Sequence, residues 1–457
     1  MGSDEAFSEG AAPRPATSGL QDTAVTFASR MLVTALGLVW AFALAKLLAP
    51  DGRGAYAVCT QYAGLLTVLF MLGTDVGCIY FVASKKLTPS EGVITILFYA
   101  LAGSAGAIVV GLLLMQAPWA YFEKAPPESF WLCLAGIPLS FFSSALVMFL
   151  ISLREFVWSA ILALGEVVFM LGMLVLLVWM MGLGVIGAVL ATLAASLAAM
   201  VSVLVLLRRR HGLTWAWPSR TRLVEVLSFG VRYYFGKISN LVNFQLGTLV
   251  LAFSPAATQA EVGLFAFGLT LADGVQRLPD TLTTVLIPRV AADEKGRVAL
   301  VAQCNRVVTV AAGAALLVLA ALAHPVFALV VPNYLPAVVI IWLLVPGVWV
   351  RCASKVFVPY LHSRNWVGIT SVAVMAGAAV NAGLLIALLP VLGLPAAALA
   401  VVGNYFVSSA ILAVAFHRCS GMGLREVWAP RWSDWSLLWN ALVRWRSRAA
   451  AEGPAKV

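Results

Sequence analysis

Long apolar segments follow one another along the chain, and short polar or charged stretches separate them. Each segment reaches or exceeds the roughly 20 residues that an α-helix needs to cross a bilayer. The pattern therefore predicts an all-α polytopic membrane protein with about 12 transmembrane helices. The predicted spans cover residues 23–48, 55–83, 92–115, 130–152, 157–181, 184–207, 224–252, 263–290, 305–330, 336–360, 366–389 and 394–416.

A basic linker near the middle of the chain divides these spans into two sets of six. Three short segments of the first half recur in the second half at an offset of 209 or 210 residues; Gly54-Ala-Tyr-Ala57 and Gly263-Leu-Phe-Ala266 are one such pair. The repeat predicts two six-helix lobes related by an axis along the membrane normal. The predicted divisions are a disordered cytoplasmic tail (1–22), an N-lobe (23–207), a basic cytoplasmic linker (208–223), a C-lobe (224–416) and a basic, Trp-rich cytoplasmic interfacial tail (417–457).

Composition and charge support this assignment and predict the orientation. Hydrophobic residues make up 62% of the chain and charged residues 11%, against roughly 25% charged residues in soluble domains. The net charge of +10 is explained by loops that face anionic lipid, so nucleic acid is not an expected partner. With both termini in the cytoplasm, 21 Lys and Arg residues lie on the cytoplasmic side, and only Lys46, Arg53 and Lys124 lie outside.

The two chain ends differ in character. The first 20 residues are polar and contain no apolar core of a signal peptide. Near the other end, Trp432, Trp435 and Trp439 share one helical face, and Arg444, Arg446 and Arg448 follow them. Tryptophan rings at headgroup depth with neighbouring cations are typical of a helix that lies in the membrane interface. We interpret this tail as an anchor on the membrane lipids; docking of a partner is the alternative.

Charged residues inside the predicted spans indicate a polar pathway. A charge at the centre of a span costs roughly 2.5 to 3.5 kcal/mol unless it faces protein or water. In the eighth span Asp273, Arg277 and Asp280 follow i, i+4, i+7 spacing, so Arg277 can reach either carboxylate. The stripe is either the wall of a transport pathway or a structural ion pair. The spans contain six basic residues and four carboxylates, and this excess predicts a cavity that attracts anions.

Further polar positions share helical faces. On the seventh span Arg232 lines up with Asn240 and Asn243, while Lys237 lies to one side. Arg30 occupies a similar stripe of small and polar residues on the first span. Small residues alone would indicate close helix packing, but an arginine at this depth favours a shared hydrophilic cavity.

The tenth span carries Arg351 and Lys355 one turn apart. These two residues either extend to the cytoplasmic surface or bind a phosphate-bearing headgroup. Glu166 stands among apolar neighbours of the fifth span, where it suits either proton coupling or a neutral hydrogen-bonded role. The predicted ion-coupling residues are Asp75, Glu166, Asp273 and Asp280.

Several function classes lack their sequence signals. The chain has no Gly-rich nucleotide-binding motif, no paired catalytic carboxylates in a soluble domain and no nucleophile with a nearby base. Its six cysteines are scattered without metal-ligand spacing. The expectation is a protein that is not an enzyme and that uses neither a cofactor nor a metal.

Two short segments carry a family resemblance. Leu47-Leu-Ala-Pro-Asp-Gly-Arg-Gly-Ala-Tyr-Ala57 with Gly73-Thr-Asp-Val-Gly77 resembles the first-loop signature of polysaccharide flippases in the multidrug/oligosaccharidyl-lipid/polysaccharide (MOP) exporter superfamily. Glu261-Val-Gly-Leu-Phe-Ala266 is similar to the echo of that signature in the second half. The resemblance implies two lobes around a central cavity that is lined mainly by the first, second, seventh and eighth spans.

The same resemblance implies a function. Family members flip an undecaprenyl-pyrophosphate-linked oligosaccharide, such as an O-antigen or other polysaccharide repeat unit, across the bacterial inner membrane. We therefore expect a flippase that works by alternating access with ion-gradient coupling, in contact with membrane lipids and with glycan polymerase and export machinery. The alternative is a multidrug or cation antiporter of the same superfamily, but its cationic drugs would favour a cavity rich in carboxylates.

The resemblance also suggests site residues. In related lipid II flippases, arginines of the first span, first loop and eighth span serve the headgroup, and the corresponding positions are Arg30, Arg53 and Arg277. This chain has 12 predicted spans where those flippases usually have 14, which favours the oligosaccharide branch. The predicted substrate-binding residues are Arg30, Arg53, Arg232, Lys237, Asn240, Asn243, Arg277, Arg351 and Lys355.

Overall fold

The structure, a computed structural model, describes residues 18–153, 155–277, 279–280, 297–364 and 366–429. Within these ranges the side chains of residues 18–28, 235–244 and several single positions, including Arg30, lie outside the description. Every regular element of the described residues is helical. The first half contains α1 (Ser18–Met71), α2 (Thr74–Ala83), α3 (Pro89–Met115), α4 (Pro127–Ala135), α5 (Ile137–Ser152), α6 (Phe156–Leu174) and α7 (Gly184–His211).

The second half begins after the linker. It contains α8 (Arg220–Phe253), α9 (Gln259–Gly274), α10 (Arg297–Val330), α11 (Ala337–Lys355), α12 (Phe357–Ser363), α13 (Val367–Leu392), α14 (Leu394–Ser420) and α15 (Leu424–Trp428). A π-helical segment, Val175–Met180, extends α6.

The helix α1 contains the first predicted span and most of the second. Ala49 leaves the helical conformation with φ 55° and ψ 176°, directly before Pro50. A proline disfavours the right-handed helical conformation of the preceding residue, and its ring removes one backbone donor. The loop predicted between these two spans is therefore a kink of one residue. Leu72 and Gly73 then adopt positive φ values of 47° and 69°, and the second span resumes as α2.

The predicted architecture of about 12 spans in two lobes is confirmed. Among the described residues, eight helices are long and apolar enough to cross a membrane, and α4 with α5, bent by 45°, makes a ninth. One of these, α1, contains two predicted spans across its kink. The helices α8 and α9 occupy the positions of the seventh and eighth spans.

The lobes meet closely where α1 crosses α9. A Cβ atom on Gly54 would collide with the carbonyl oxygen of Gln259, and a Cβ atom on Gly263 would collide with that of Pro50. Residues 50 and 259, like residues 54 and 263, are 209 positions apart. The contact is therefore symmetric under the offset of the sequence repeat, and backbone meets backbone because neither glycine has a side chain.

A second close approach joins the lobes towards the other end of the same spans. A Cβ atom on Gly230 of α8 would lie 2.7 Å from the carbonyl oxygen of Gly73, and Val226 approaches Gly77 one turn away. Tyr99 of α3 donates a hydrogen bond of 2.7 Å to the carbonyl of Leu223. This contact lies at the predicted cytoplasmic end, opposite the crossing of α1 and α9.

Polar contacts fix the last described helix against the C-lobe. Asn305 and Arg306 near the start of α10 are buried. Asn305 donates to the carbonyl of Val427 at 3.1 Å, and Arg306 donates to that of Glu426 at 2.8 Å. The chain is thereby held to the lobe as far as α15; the predicted Trp-rich anchor lies outside the described residues.

Candidate functional site

The eighth span does not form one unbroken helix over its charged residues. The helix α9 ends at Gly274, where Val275 and Gln276 donate to the carbonyls of Ala272 and Asp273, three residues back in each case. Such bonds tighten the final turn of a helix, and Pro279 further along cannot donate a backbone hydrogen bond. The single face predicted for Asp273, Arg277 and Asp280 is therefore interrupted between its first two members. This part of the sequence prediction was wrong.

The partners of Asp273 come from its own turn and from another helix. Gln276 Nε2 donates to Asp273 Oδ1 at 2.6 Å. The hydroxyl of Tyr405 on α14 lies 3.0 and 3.1 Å from the two carboxylate oxygens. The carboxylate is thus satisfied by neutral donors inside the C-lobe. Gln276 and Tyr405 were both absent from the sequence prediction. The i+3 spacing of Gln276 from Asp273 was a usable signal, whereas nothing in the sequence connected Tyr405 with Asp273.

The two bases of the tenth span complete this group. Arg351 is 5% exposed, donates to Ser408 Oγ at 3.3 Å and lies 6.0 Å from the ring centre of Tyr405. Lys355 Nζ lies 2.9 Å from Asp280 Oδ1, and its side chain is 14% exposed. Neither base extends to the surface. We call Asp273, Gln276, Arg351, Lys355 and Tyr405 the C-lobe polar cluster.

Arg53 lies in the contact between the lobes. It is 5% exposed, donates to the carbonyl of Ala41 at 3.2 Å and lies 4.8 Å from the ring centre of Phe267. Phe267 packs in turn on Phe327 and Tyr334. In this state the guanidinium is enclosed by protein beside the Gly54 crossing.

Lys124 makes a second inter-lobe contact near the same end. Its amine donates to the carbonyls of Leu251 and Ser254, at 3.1 and 2.7 Å, where α8 ends. Burial lowers the pKa of this lysine. A cation at the carboxyl end of a helix is favourable because the last carbonyls have no partner within the helix. Lys124 and Arg53 together close the predicted outer end of the molecule.

A cavity of about 640 Å³ opens beside the first three turns of α8, at the end opposite this closure. Its lining combines exposed basic and hydroxyl side chains with aromatic side chains that are buried or half-buried. The lining residues are Phe81, Arg220, Thr221, Val224, Glu225, Ser228, Phe229 and Arg232. We call this cavity the α8 groove.

The remaining predicted residues are distributed over both lobes. Asp75 is buried in the first turn of α2, and Glu166 is half-buried on α6, so both carboxylates lie in the N-lobe, apart from the C-lobe polar cluster. Arg277 is exposed. Four of the predicted site residues have side chains outside the description: Arg30, Lys237, Asn240 and Asn243.

Comparison with known proteins supports the fold. A family model described as polysaccharide biosynthesis protein matches residues 20–292. The solved structure of the lipid II flippase MurJ in an inward closed conformation aligns with a TM-score of 0.65 and 13% identity, over 89% of each chain. No curated protein sequence matches the chain significantly.

Two transporter structures show the same architecture. An inward-facing multidrug resistance MATE family transporter of the MOP superfamily aligns with a TM-score of 0.63 and 14% identity, over 88% of this chain and 99% of that one. A mutant of the Vibrio cholerae MATE transporter VcmN aligns with a TM-score of 0.57 and 14% identity, over 89% and 97%. Flippase and drug transporter share this fold, so the fold alone does not separate the two functions.

Proposed function

Because the chain belongs to the polysaccharide biosynthesis protein family of the MOP superfamily, we propose that it flips a lipid-linked oligosaccharide across the bacterial inner membrane. The proposed carrier is undecaprenyl pyrophosphate, and the glycan is a repeat unit of O-antigen or another polysaccharide. Both termini face the cytoplasm in this proposal. The α8 groove then opens to the cytoplasm, and the Gly54 crossing lies at the outer end.

The charge of the α8 groove is the observation that carries this proposal. Arg220 and Arg232 line it together with one carboxylate, that of Glu225. The side chain of Arg222 lies 2.8 Å from this carboxylate and neutralises it. A net cationic cavity attracts a pyrophosphate and repels a cationic drug. This favours the flippase over the antiporter, although both occur on this fold.

The proposed mechanism is alternating access, and the arrangement of the two ends supports it. Contacts of Arg53, Lys124 and the Gly54–Gly263 crossing close the outer end. At the other end the lobes also meet, at Gly73 and Gly230, and the α8 groove opens beside that contact. Flipping then requires these outer contacts to separate after the cargo has bound. The glycan polymerase and export machinery would receive the cargo on the outer side.

Ion coupling is proposed for Asp273 and Asp280 of the C-lobe before Asp75 and Glu166 of the N-lobe. Asp273 is held by two neutral donors, so an incoming cation or proton competes with hydrogen bonds of Gln276 and Tyr405. Asp280, 55% exposed, contacts Lys355 on the tenth span. Occupation of Asp273 would alter the packing of three spans of one lobe, which is how an ion gradient biases a two-state transporter.

The test is leaflet-resolved accumulation of undecaprenyl-linked glycan in a strain that lacks the protein. We expect the glycan to accumulate on the cytoplasmic side, and the wild-type protein to relieve this accumulation. A strain without accumulation would overturn the flippase and favour the drug antiporter, which export of cationic dyes from the same strains would then reveal.

A further inference from the structure

We propose that the α8 groove is an entry site that binds the pyrophosphate of the cargo before the cargo reaches the space between the lobes. The inference rests on the proposed function and deepens it, because it assigns a phosphate-binding role to Arg220, a residue outside the predicted spans, and a first step to the pathway. In this proposal two arginines that line an open cavity bind the negatively charged pyrophosphate.

The two arginines are available for a ligand. Both are exposed, and among the described residues neither guanidinium has a hydrogen-bond or ion-pair partner. They are 12 positions apart on α8, which corresponds to about 18 Å along the helix axis. A pyrophosphate is shorter than this distance, so Arg220 and Arg232 form two successive stations. Thr221 and Ser228 supply hydroxyl donors between them.

The single carboxylate of the groove is kept from repelling the cargo. Arg222 NH1 donates to Glu225 Oε2 at 2.8 Å, one turn along the helix. Arg222 does not itself line the groove. With Glu225 paired to Arg222, the uncompensated charges of the groove are those of Arg220 and Arg232. Removal of the Glu225 charge should improve anion binding, because it removes the one negative charge of the lining.

Aromatic side chains form the inner wall of the groove. Phe81 of α2 and Phe229 of α8 line it, and Tyr80 stacks on Phe229 with ring centres 4.4 Å apart. An apolar wall lowers the local dielectric, which strengthens the attraction between a guanidinium and a phosphate relative to open water. An arginine that faces lipid or water without such a wall lacks this strengthening.

The groove leads towards the polar stripe of the seventh span. At 100° per residue, Arg232 belongs to the same helical face as Ser228 and Glu225 of the groove and as Asn243 further along the span. Arg232 is therefore both the inner station of the groove and the first member of the stripe. Arg220, 12 positions earlier, lies about 120° away from Arg232 on the same wheel. A pyrophosphate that leaves Arg220 for Arg232 would therefore move along α8 and about a third of a turn around it, towards the polar stripe.

Anionic bilayer lipid is the competing ligand for exposed arginines near a membrane surface. Arg209, exposed in the last turn of α7, presents the same charge at the same end of the molecule but lies outside the groove. Lipid binding without a site would respond equally to the loss of Arg209 and of Arg220. If the groove is the binding site, the loss of Arg220 or Arg232 weakens binding and the loss of Arg209 does not.

The experiment measures binding of undecaprenyl pyrophosphate to the full chain in nanodiscs of neutral lipid. The variants are Arg220→Gln, Arg232→Gln, Arg209→Gln and Glu225→Gln. We expect the first two to weaken binding about tenfold each, as the loss of a charge-assisted hydrogen bond implies. Arg209→Gln should bind like wild type, and Glu225→Gln should bind more tightly. Inorganic pyrophosphate should compete, and phosphatidylglycerol at equal charge should not.

The outcomes separate this inference from the proposed function. Wild-type binding that is unchanged by Arg220→Gln and Arg232→Gln, or lowered equally by Arg209→Gln, overturns the entry site and leaves the flippase in place. Failure of the wild-type protein both to bind and to relieve glycan accumulation in cells overturns the two together. Thermal unfolding of each variant in detergent confirms that a loss of binding is not a loss of fold.

Discussion

Gly54 and Gly263 face each other at the crossing of the two lobes, and each is the counterpart of the other in the internal repeat. A Cβ on Gly54 would lie 3.1 Å from the amide nitrogen of Gly263, and the reverse distance would be 2.9 Å. Two residues that are equivalent by repeat and adjacent in space lie at the axis that relates the repeats. This contact supports the repeat that the sequence predicts.

This crossing leads to a prediction about glycine. Gly54→Ala or Gly263→Ala places a methyl group against a backbone carbonyl that cannot move away as a side chain could. We expect a loss of about 1 to 3 kcal/mol of stability, typical of overpacking, and greater labelling of the outer end by a membrane-impermeant reagent. Gly64→Ala on the same helix, where nothing lies within 4 Å, is the matched control. Wild-type stability in both crossing variants would contradict the contact.

Lys124 should hold the outer end closed. Lys124→Met removes two hydrogen bonds to the carboxyl end of α8. We expect about 1 to 2 kcal/mol lower stability and increased labelling of an engineered cysteine at the outer end. Glu123→Gln, at the exposed neighbouring position, changes one charge without touching α8. Equal labelling of the two variants would rule out the closure.

Arg53 should contribute little to binding of the cargo in this state. Its guanidinium is enclosed against Phe267, and its Nε has no hydrogen-bond partner among the described residues. We expect Arg53→Met to bind undecaprenyl pyrophosphate within about twofold of wild type, because an apolar isostere replaces a buried cation at small cost. A loss of binding as large as that of Arg232→Gln would show that Arg53 belongs to the cargo site.

Tyr405 should set the ion dependence of flipping. Tyr405→Phe removes the donor that reaches both oxygens of Asp273. We expect stability to fall by about 1.5 to 3 kcal/mol and the ion or pH dependence of flipping to shift, because Asp273 then binds a cation with one competitor fewer. Tyr334→Phe is the control: this buried hydroxyl has no partner among the described residues, so its loss should be neutral. An unchanged ion dependence in Tyr405→Phe would exclude Asp273 from coupling.

The fold was predictable from the sequence to a greater degree than the site. Span number and lobe division depend on segment length and on the repeat, and both can be seen in the sequence alone. The prediction failed within the eighth span, where helical spacing placed Arg277 beside Asp273. Spacing treats a helix as continuous, whereas α9 ends at Gly274 and the partner of Asp273 comes from α14.

Arg53 illustrates the same limit. A motif places an arginine in a loop, but only the packing of the second lobe shows that this loop is a kink and that the side chain contacts Phe267. Arg220 was missed for another reason: it lies just before the seventh predicted span and was counted with the basic linker. Its distance from Arg232 along one helix was available in the sequence, but the cavity that joins them was not.

The contact between Gly73 and Gly230 has a consequence for the proposed transport cycle. Two backbones without side chains meet there, so no rotamer has to change when the helices part. The α-helices on both sides keep their internal hydrogen bonds. The surfaces lose dispersion contacts, each of about 0.1 to 0.2 kcal/mol per atom pair, and the hydrogen bond from Tyr99 to the carbonyl of Leu223. If the proposed alternating access opens this end, separation at this point needs little rearrangement of side chains. We then expect the charged contacts at the outer end to part more slowly.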